Sequence, residues 1–327
     1  MSGSALGMSM VMMRGKLITV LFGVSLFLDA TASSVSNAAQ QPQGPTFKSS
    51  VDLVRVGAIV RDRKGHFVTD LGVRDFTLFD DGVARPIADF RHDQAGVSVA
   101  LLFDVSGSME ARMANAREAA SHVLAWLDAA DEAAVFTFDT HLDEVKPFTA
   151  GLQELPSKLS SVKPFGATSL NDAIAATAKR TTSPDGRRRA VIVFTDGNDN
   201  ASRLRPSEVS AVARDIDVPI YIIAIVPAID NPSADVSTAS RDQKALVGAL
   251  DDLADLTGGH VFLASTPGER SGAAKQIVDE LRHQYLIAFE SGNAPGWHPL
   301  TLKTRDKNLV VRARSGYFAG QSRPVSQ

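Results

Sequence analysis

Between positions 97 and 283 the chain alternates compact apolar runs with longer stretches whose apolar residues recur every three or four positions. The runs at 97–103, 133–138, 190–194 and 220–226 are almost continuously apolar, as strands covered on both faces are. Met113, Ala116, Ala120, Val123, Leu124 and Leu127 follow helical spacing and predict a helix over about 110–128. Further helices are expected near 152–161, 169–180, 243–256 and 268–283, with one more opened by Pro206. A short strand should run over 260–263, after the stop at Gly258-Gly259. The segment 142–148 also reads as a strand. It follows 133–138 after only Asp139-Thr140-His141, too short a link for a crossover, so it should lie antiparallel to its neighbour. This alternation predicts an α/β, Rossmann-like, mostly parallel sheet with one antiparallel edge strand.

The flanks have a different pattern. In 47–93, strands are expected from Val51, at Phe76-Thr77-Leu78-Phe79 and over 87–90, with Asp81-Gly82 as a hairpin turn. Three more antiparallel strands are expected at 284–289, 297–303 and 309–313. The two flanks, 47–93 and 284–320, should join in a small β-sheet unit, with the α/β domain of 97–283 inserted between its halves. That unit shows no recognisable chemistry in the sequence. Residues 40–47 read as a flexible lead-in, 227–242 as a long polar loop and 321–327 as a disordered tail. Trp126 and Trp297 are both expected in cores.

Residues 1–39 read as an export signal. Arg14 and Lys16 precede an apolar stretch over 17–28, and Ser36-Asn37-Ala38 offers a small-x-small cleavage site. The apolar stretch is short for a membrane span, which needs about twenty residues; an uncleaved anchor is the alternative. The expected location is therefore the periplasm or the exterior of a bacterial cell. Net charge is −3, which gives no general attraction to nucleic acid or to an acidic membrane. The run Arg187-Arg188-Arg189 is too short to alter that and is read as capping the next strand. With no cysteine there is no disulfide framework and no thiolate metal site, and the seven scattered histidines show no zinc-enzyme spacing.

Candidate chemistry gathers in three loops. Asp104-Val105-Ser106-Gly107-Ser108 follows the strand 97–103, Gly166-Ala167-Thr168-Ser169-Leu170 precedes a helix, and Thr195-Asp196-Gly197 follows the strand 190–194. Oxygen-bearing side chains at alternate positions suit a hard divalent cation. In a sheet of order 3-2-1-4-5-6 the first and fourth strands flank the topological switch point, where ligands bind, and here each ends in an aspartate. Asp196-Gly197-Asn198-Asp199-Asn200 is not read as a calcium loop of the EF-hand kind, because Ala201 stands where a glycine is required. Asp139, Asp143 and Asp199 are read as solvated acids.

Asp104, Ser106, Ser108, Thr168 and Asp196 resemble, position by position, the metal-ion-dependent adhesion site (MIDAS) of von Willebrand factor type A (VWA) domains. The flanks resemble a bacterial, acidobacterial-type variety of that family, through Asp75-Phe76, Asp81-Gly82 and Arg314-Ser315-Gly316-Tyr317-Phe318. The resemblance implies Mg2+ as cofactor, with Mn2+ or Ca2+ as alternatives, held by Ser106 and Ser108 directly and by Thr168, Asp104 and Asp196 directly or through water. It implies an adhesion module whose partner is another protein offering an Asp or Glu side chain, and no catalytic residue. Two other readings stand beside it. Asp104 could accept a phosphoryl group in a metal-dependent hydrolase, although Ser106 occupies the place where such enzymes put a second aspartate. The chain could also be a structural scaffold of the cell envelope.

Overall fold

The computed structural model describes residues 53–92, 96–181, 187–204, 218–226, 241–292 and 294–319. The central sheet has six strands in the order β7-β6-β5-β8-β9-β10. They are β5 (Val97–Asp104), β6 (Glu132–Phe138), β7 (Leu142–Ala150), β8 (Arg188–Thr195), β9 (Ile220–Ile225) and β10 (His260–Ala264). All neighbours are parallel except β7, which pairs antiparallel with β6 at the edge. In chain order this is 3-2-1-4-5-6, with the reversal between β5 and β8. Every residue of β5 is buried, because helices cover both faces. Helices α1 (Met113–Trp126) and α5 (Pro267–Arg282) pack on one face through Met113, Val123, Leu124, Ile277 and Leu281. Helices α3 (Leu170–Thr181) and α4 (Arg241–Thr257) pack on the other through Leu170, Ile174, Leu250 and Leu253.

The flanks form two four-stranded antiparallel sheets. One has the order β13-β1-β11-β4, from β1 (Leu53–Arg61), β4 (Ile87–Arg91), β11 (Tyr285–Glu290) and β13 (Val310–Ala313). The other is β14-β12-β2-β3, from β2 (Phe76–Asp80), β3 (Val83–Arg85), β12 (Gly296–Thr304) and β14 (Gly316–Ala319). Each sheet thus mixes strands from before and after the α/β domain. A single core of Val56, Val60, Phe76, Leu78, Tyr285, Ile287, Phe289 and Tyr317 joins them. The β2–β3 turn is Asp81-Gly82, both at positive φ (52° and 77°), the backbone that a two-residue hairpin of right-handed twist requires.

Several expectations are corrected. Only α2 (Ser157–Ser160) forms within 152–161; Pro156 sets its start and leaves the preceding residues extended or turning. Trp126 is 43% exposed rather than core, because it falls off the stripe set by Val123 and Leu124. The ammonium of Lys275 sits 5.1 Å from its ring centroid. Trp297 is half-buried, beside Phe318. Arg188 and Arg189 lie inside β8 instead of ahead of it. Arg188 is buried, and its Nη2 and Nε donate to the carbonyl of Gln284 at 3.0 and 3.3 Å. The export signal, the lead-in, the helix opened by Pro206, the loop from 227 to 240 and the tail lie outside the described residues. Among the described residues no helix is long and apolar enough to cross a membrane.

Candidate metal centre

Asp104 is the last residue of β5 and is fully buried. Its two carboxylate oxygens are fixed from opposite sides. The amide of Ser106 donates to Oδ1 at 2.9 Å, and the hydroxyl of Thr195, at the end of β8, donates to Oδ2 at 2.7 Å. Ser106 is buried, while Ser108, inside the single 3-10 turn Gly107–Met109, is exposed; their hydroxyl oxygens are 3.2 Å apart. A short turn directly after a strand brings the two hydroxyls to one side, and α1 begins only four residues beyond it.

The second loop is sewn to the first by backbone. Phe165 N donates to the carbonyl of Val105 at 2.9 Å and Gly107 N to that of Gly166 at 3.1 Å. Gly166 has a φ of 88°, a left-handed conformation that favours glycine. Thr168, buried two residues before α3, is tied to the third loop: its amide donates to Oδ1 of Asn200 at 2.8 Å, and its carbonyl accepts the amides of Asn200 and Ala201. Asp196, directly after β8, is 7% exposed. Its Oδ2 accepts from Nη1 of Arg112 at 3.1 Å, and the same nitrogen donates to the carbonyl of Ser108 at 2.6 Å. All five residues singled out in the sequence therefore stand at the carboxyl end of the parallel sheet, on loops hydrogen-bonded to one another at the β5/β8 switch point.

Three residues important to this geometry were not singled out. Thr195 aims Asp104, Asn200 holds the Thr168 loop and Arg112 counters Asp196. Nothing in local spacing marks them, since their partners lie 91, 32 and 84 positions away. Thr195 had one signal: it stands beside Asp196 at a strand end that faces the switch point. Asp199 is exposed as expected, but Oδ2 also accepts the amide of Asn171 at 3.1 Å and so caps the first turn of α3.

The electrostatics favour a cation. Burial pushes the Asp104 carboxyl above its ordinary 3.8, and the charge of Asp196 pushes the same way, against the hydrogen bonds from Ser106 and Thr195. Among the described residues, one guanidinium, that of Arg112, stands against two buried acids, which leaves negative charge uncompensated. Carboxylate and hydroxyl oxygens with no sulfur or imidazole are the donor set of Mg2+ or Mn2+. The residues thus fit such an ion. Asp104, Ser106, Ser108, Thr168 and Asp196 would hold it, and it would supply an electrophilic position for an incoming anionic oxygen.

Several solved structures are similar to this chain. BatB from Bacteroides thetaiotaomicron is 18% identical, over 57% of this chain and 98% of that one, with a TM-score of 0.43. A von Willebrand factor type A protein from Catenulispora acidiphila is 12% identical over 82% of this chain and 72% of that one, at 0.46. Proximal thread matrix protein 1 from the mussel byssus, in a structure with a zinc-occupied MIDAS motif, is 19% identical over 62% of this chain and 49% of that one, at 0.43. A search of curated proteins finds no match. A scan of protein families matches the von Willebrand factor type A domain over residues 98–278, more than half of the chain. Such domains are typically metal-dependent interaction modules and are generally non-catalytic. With a six-stranded sheet of the expected order and a family model that matches more than half of its length, the chain belongs to the von Willebrand factor type A domain family.

Proposed function

We propose that this is an exported protein-binding module that captures a partner's Asp or Glu side chain through a Mg2+ ion held by Asp104, Ser106, Ser108, Thr168 and Asp196. The observation that carries the reading is the pair of buried acids, Asp104 and Asp196, that the β5/β8 switch point sets among hydroxyls, with Arg112 alone among the described residues to balance them. Few carboxylates at the ion leave it electrophilic, so a partner carboxylate is a favourable final ligand. Phe165, 83% exposed on the loop hydrogen-bonded to Val105, supplies an apolar contact beside that position.

The hydrolase reading lacks a residue that such enzymes use: Ser106 stands where they place a second aspartate, two residues beyond the acceptor. The test uses the immobilised chain and its Asp104→Ala variant with bacterial envelope extract, in Mg2+ and in EDTA. Capture should require Mg2+ and wild-type Asp104, and should fail when carboxylates of the captured partner are amidated. Capture that survives EDTA, Asp104→Ala and amidation would refute carboxylate recognition through the metal.

A further inference from the structure

A second cluster of ionisable groups lies in the β-sandwich, away from the adhesion site. Asp80 ends β2, Asp81 opens the hairpin turn to β3, and His298 lies on the paired strand β12. Nε2 of His298 is 2.8 Å from the carbonyl of Ala294, which can only accept, so Nε2 carries the proton. In a neutral ring this directs the lone pair to Nδ1. Nδ1 is 2.6 Å from Oδ2 of Asp81 and 3.3 Å from Oδ1 of Asp80. Neither contact has the direction of a hydrogen bond: Nδ1 and Asp80 Oδ1 are both buried and both lack a hydrogen-bond partner. The side chains of Asp80 and His298 are 0% and 5% exposed.

With the His298 ring neutral, three electron-pair donors face one another within 4.8 Å. Such a cluster is repulsive unless something positive lies among them. The other oxygen of Asp80 is already taken: Oδ2 accepts from Nε of Arg85 at 3.1 Å and from the hydroxyl of Tyr317 at 3.2 Å. Those bonds, and the one from Nε2 to Ala294, hold the outward sides of two donors and leave their inward sides free. Outer hydrogen bonds of this kind are the usual support of metal ligands. Asp81 is half exposed and opens the cluster to solvent on one side, where water can complete the coordination.

We propose that Asp80, Asp81 and His298 bind a divalent transition-metal ion, Zn2+ being the ion best matched to one imidazole nitrogen and two carboxylate oxygens. The imidazole separates this site from the all-oxygen adhesion site and disfavours Mg2+ and Ca2+ here. The ion joins β2 to β12, and so one strand from each flank of the α/β domain.

The test is a calorimetric titration of the full chain with Zn2+, in a background of Asp104→Ala and Ser106→Ala so that the adhesion site is silent. It is paired with 15N NMR of histidine-labelled protein. One equivalent of Zn2+ should bind, and the His298 Nδ1 resonance should move from a free to a metal-bound position. Asp81→Asn should weaken binding at least tenfold. Asparagine tolerates the left-handed backbone at position 81, so the metal-free melting temperature of that variant should hold and report that it is folded. Failure of Zn2+ to bind, unchanged affinity in Asp81→Asn, or a His298 ring that keeps protons on both nitrogens in Zn2+ would each overturn the proposal; the last would show that a proton alone fills the gap.

Discussion

Asp104 concentrates the conflict between stability and function in one side chain. Its folded pKa lies above the ordinary value, so its contribution to stability is complete below about pH 4 and is lost as pH rises through the folded value. The metal-free protein should therefore lose stability over that window relative to Asp104→Asn. The stabilisation given by Mg2+ should grow over the same window, because the ion competes with the proton for the carboxylate. Thermal melts from pH 4 to 8, with Mg2+ and with EDTA, check both trends. At pH 7 Asp104→Asn should hold or raise the metal-free melting temperature by a few degrees, while the Mg2+-induced rise disappears. Thr195→Val removes the hydroxyl that fixes Asp104 Oδ2 and should weaken Mg2+ binding about tenfold by calorimetry, the scale seen for outer-sphere partners of ligands. The placing of Asp104, Ser106, Ser108, Thr168 and Asp196 at one end of the sheet was legible because a strand end, a short spacing or a loop composition marked each. Thr195, Arg112 and Asn200 were not, because their roles exist only once strands distant in the chain become neighbours.

At the scale of elements, hydrophobic pattern and turn chemistry carried most of the information. The central residues of strands β5, β8 and β9 are apolar because helices cover both faces, and the antiparallel β7 followed from the short turn before it. Asp81-Gly82 predicted its hairpin through the positive φ both residues adopt. The pattern failed where apolar residues pack from irregular backbone: Leu152 and Leu155 reach the core without a helix around them. It failed again at Trp126, whose size suggested burial that its helical position denies. The entry to β10 shows what tight strand packing demands. A Cβ on Gly259 would stand 1.9 Å from the carbonyl oxygen of Ile220 on β9, a backbone atom that cannot step aside. Gly259→Ala should therefore cost about 3 kcal/mol in urea unfolding, at the upper end for overpacking. Gly268→Ala, where an added Cβ would meet nothing within 4 Å, is the neutral control.

At the scale of the molecule, the α/β domain and the sandwich are fastened by charge as well as by chain. Glu280 of α5 is 2% exposed at its side chain and pairs with Arg61 of β1, at 3.0 Å, and with Arg312 of β13. The two arginines are partly exposed, so water offsets some of the loss when the acid is removed; Glu280→Gln should cost about 2 kcal/mol. Limited proteolysis should then cut more readily between the two parts. The β4/β11 pairing has a mechanical consequence. The chain leaves the sandwich at the end of β4 and returns at the start of β11, and these strands are hydrogen-bonded neighbours with Leu286 opposite Arg91. A pull applied across the sandwich, between β1 and β14, would be borne by these strands and those between them. The six-stranded sheet hangs from that clamp as a closed loop and would feel no tension from such a pull.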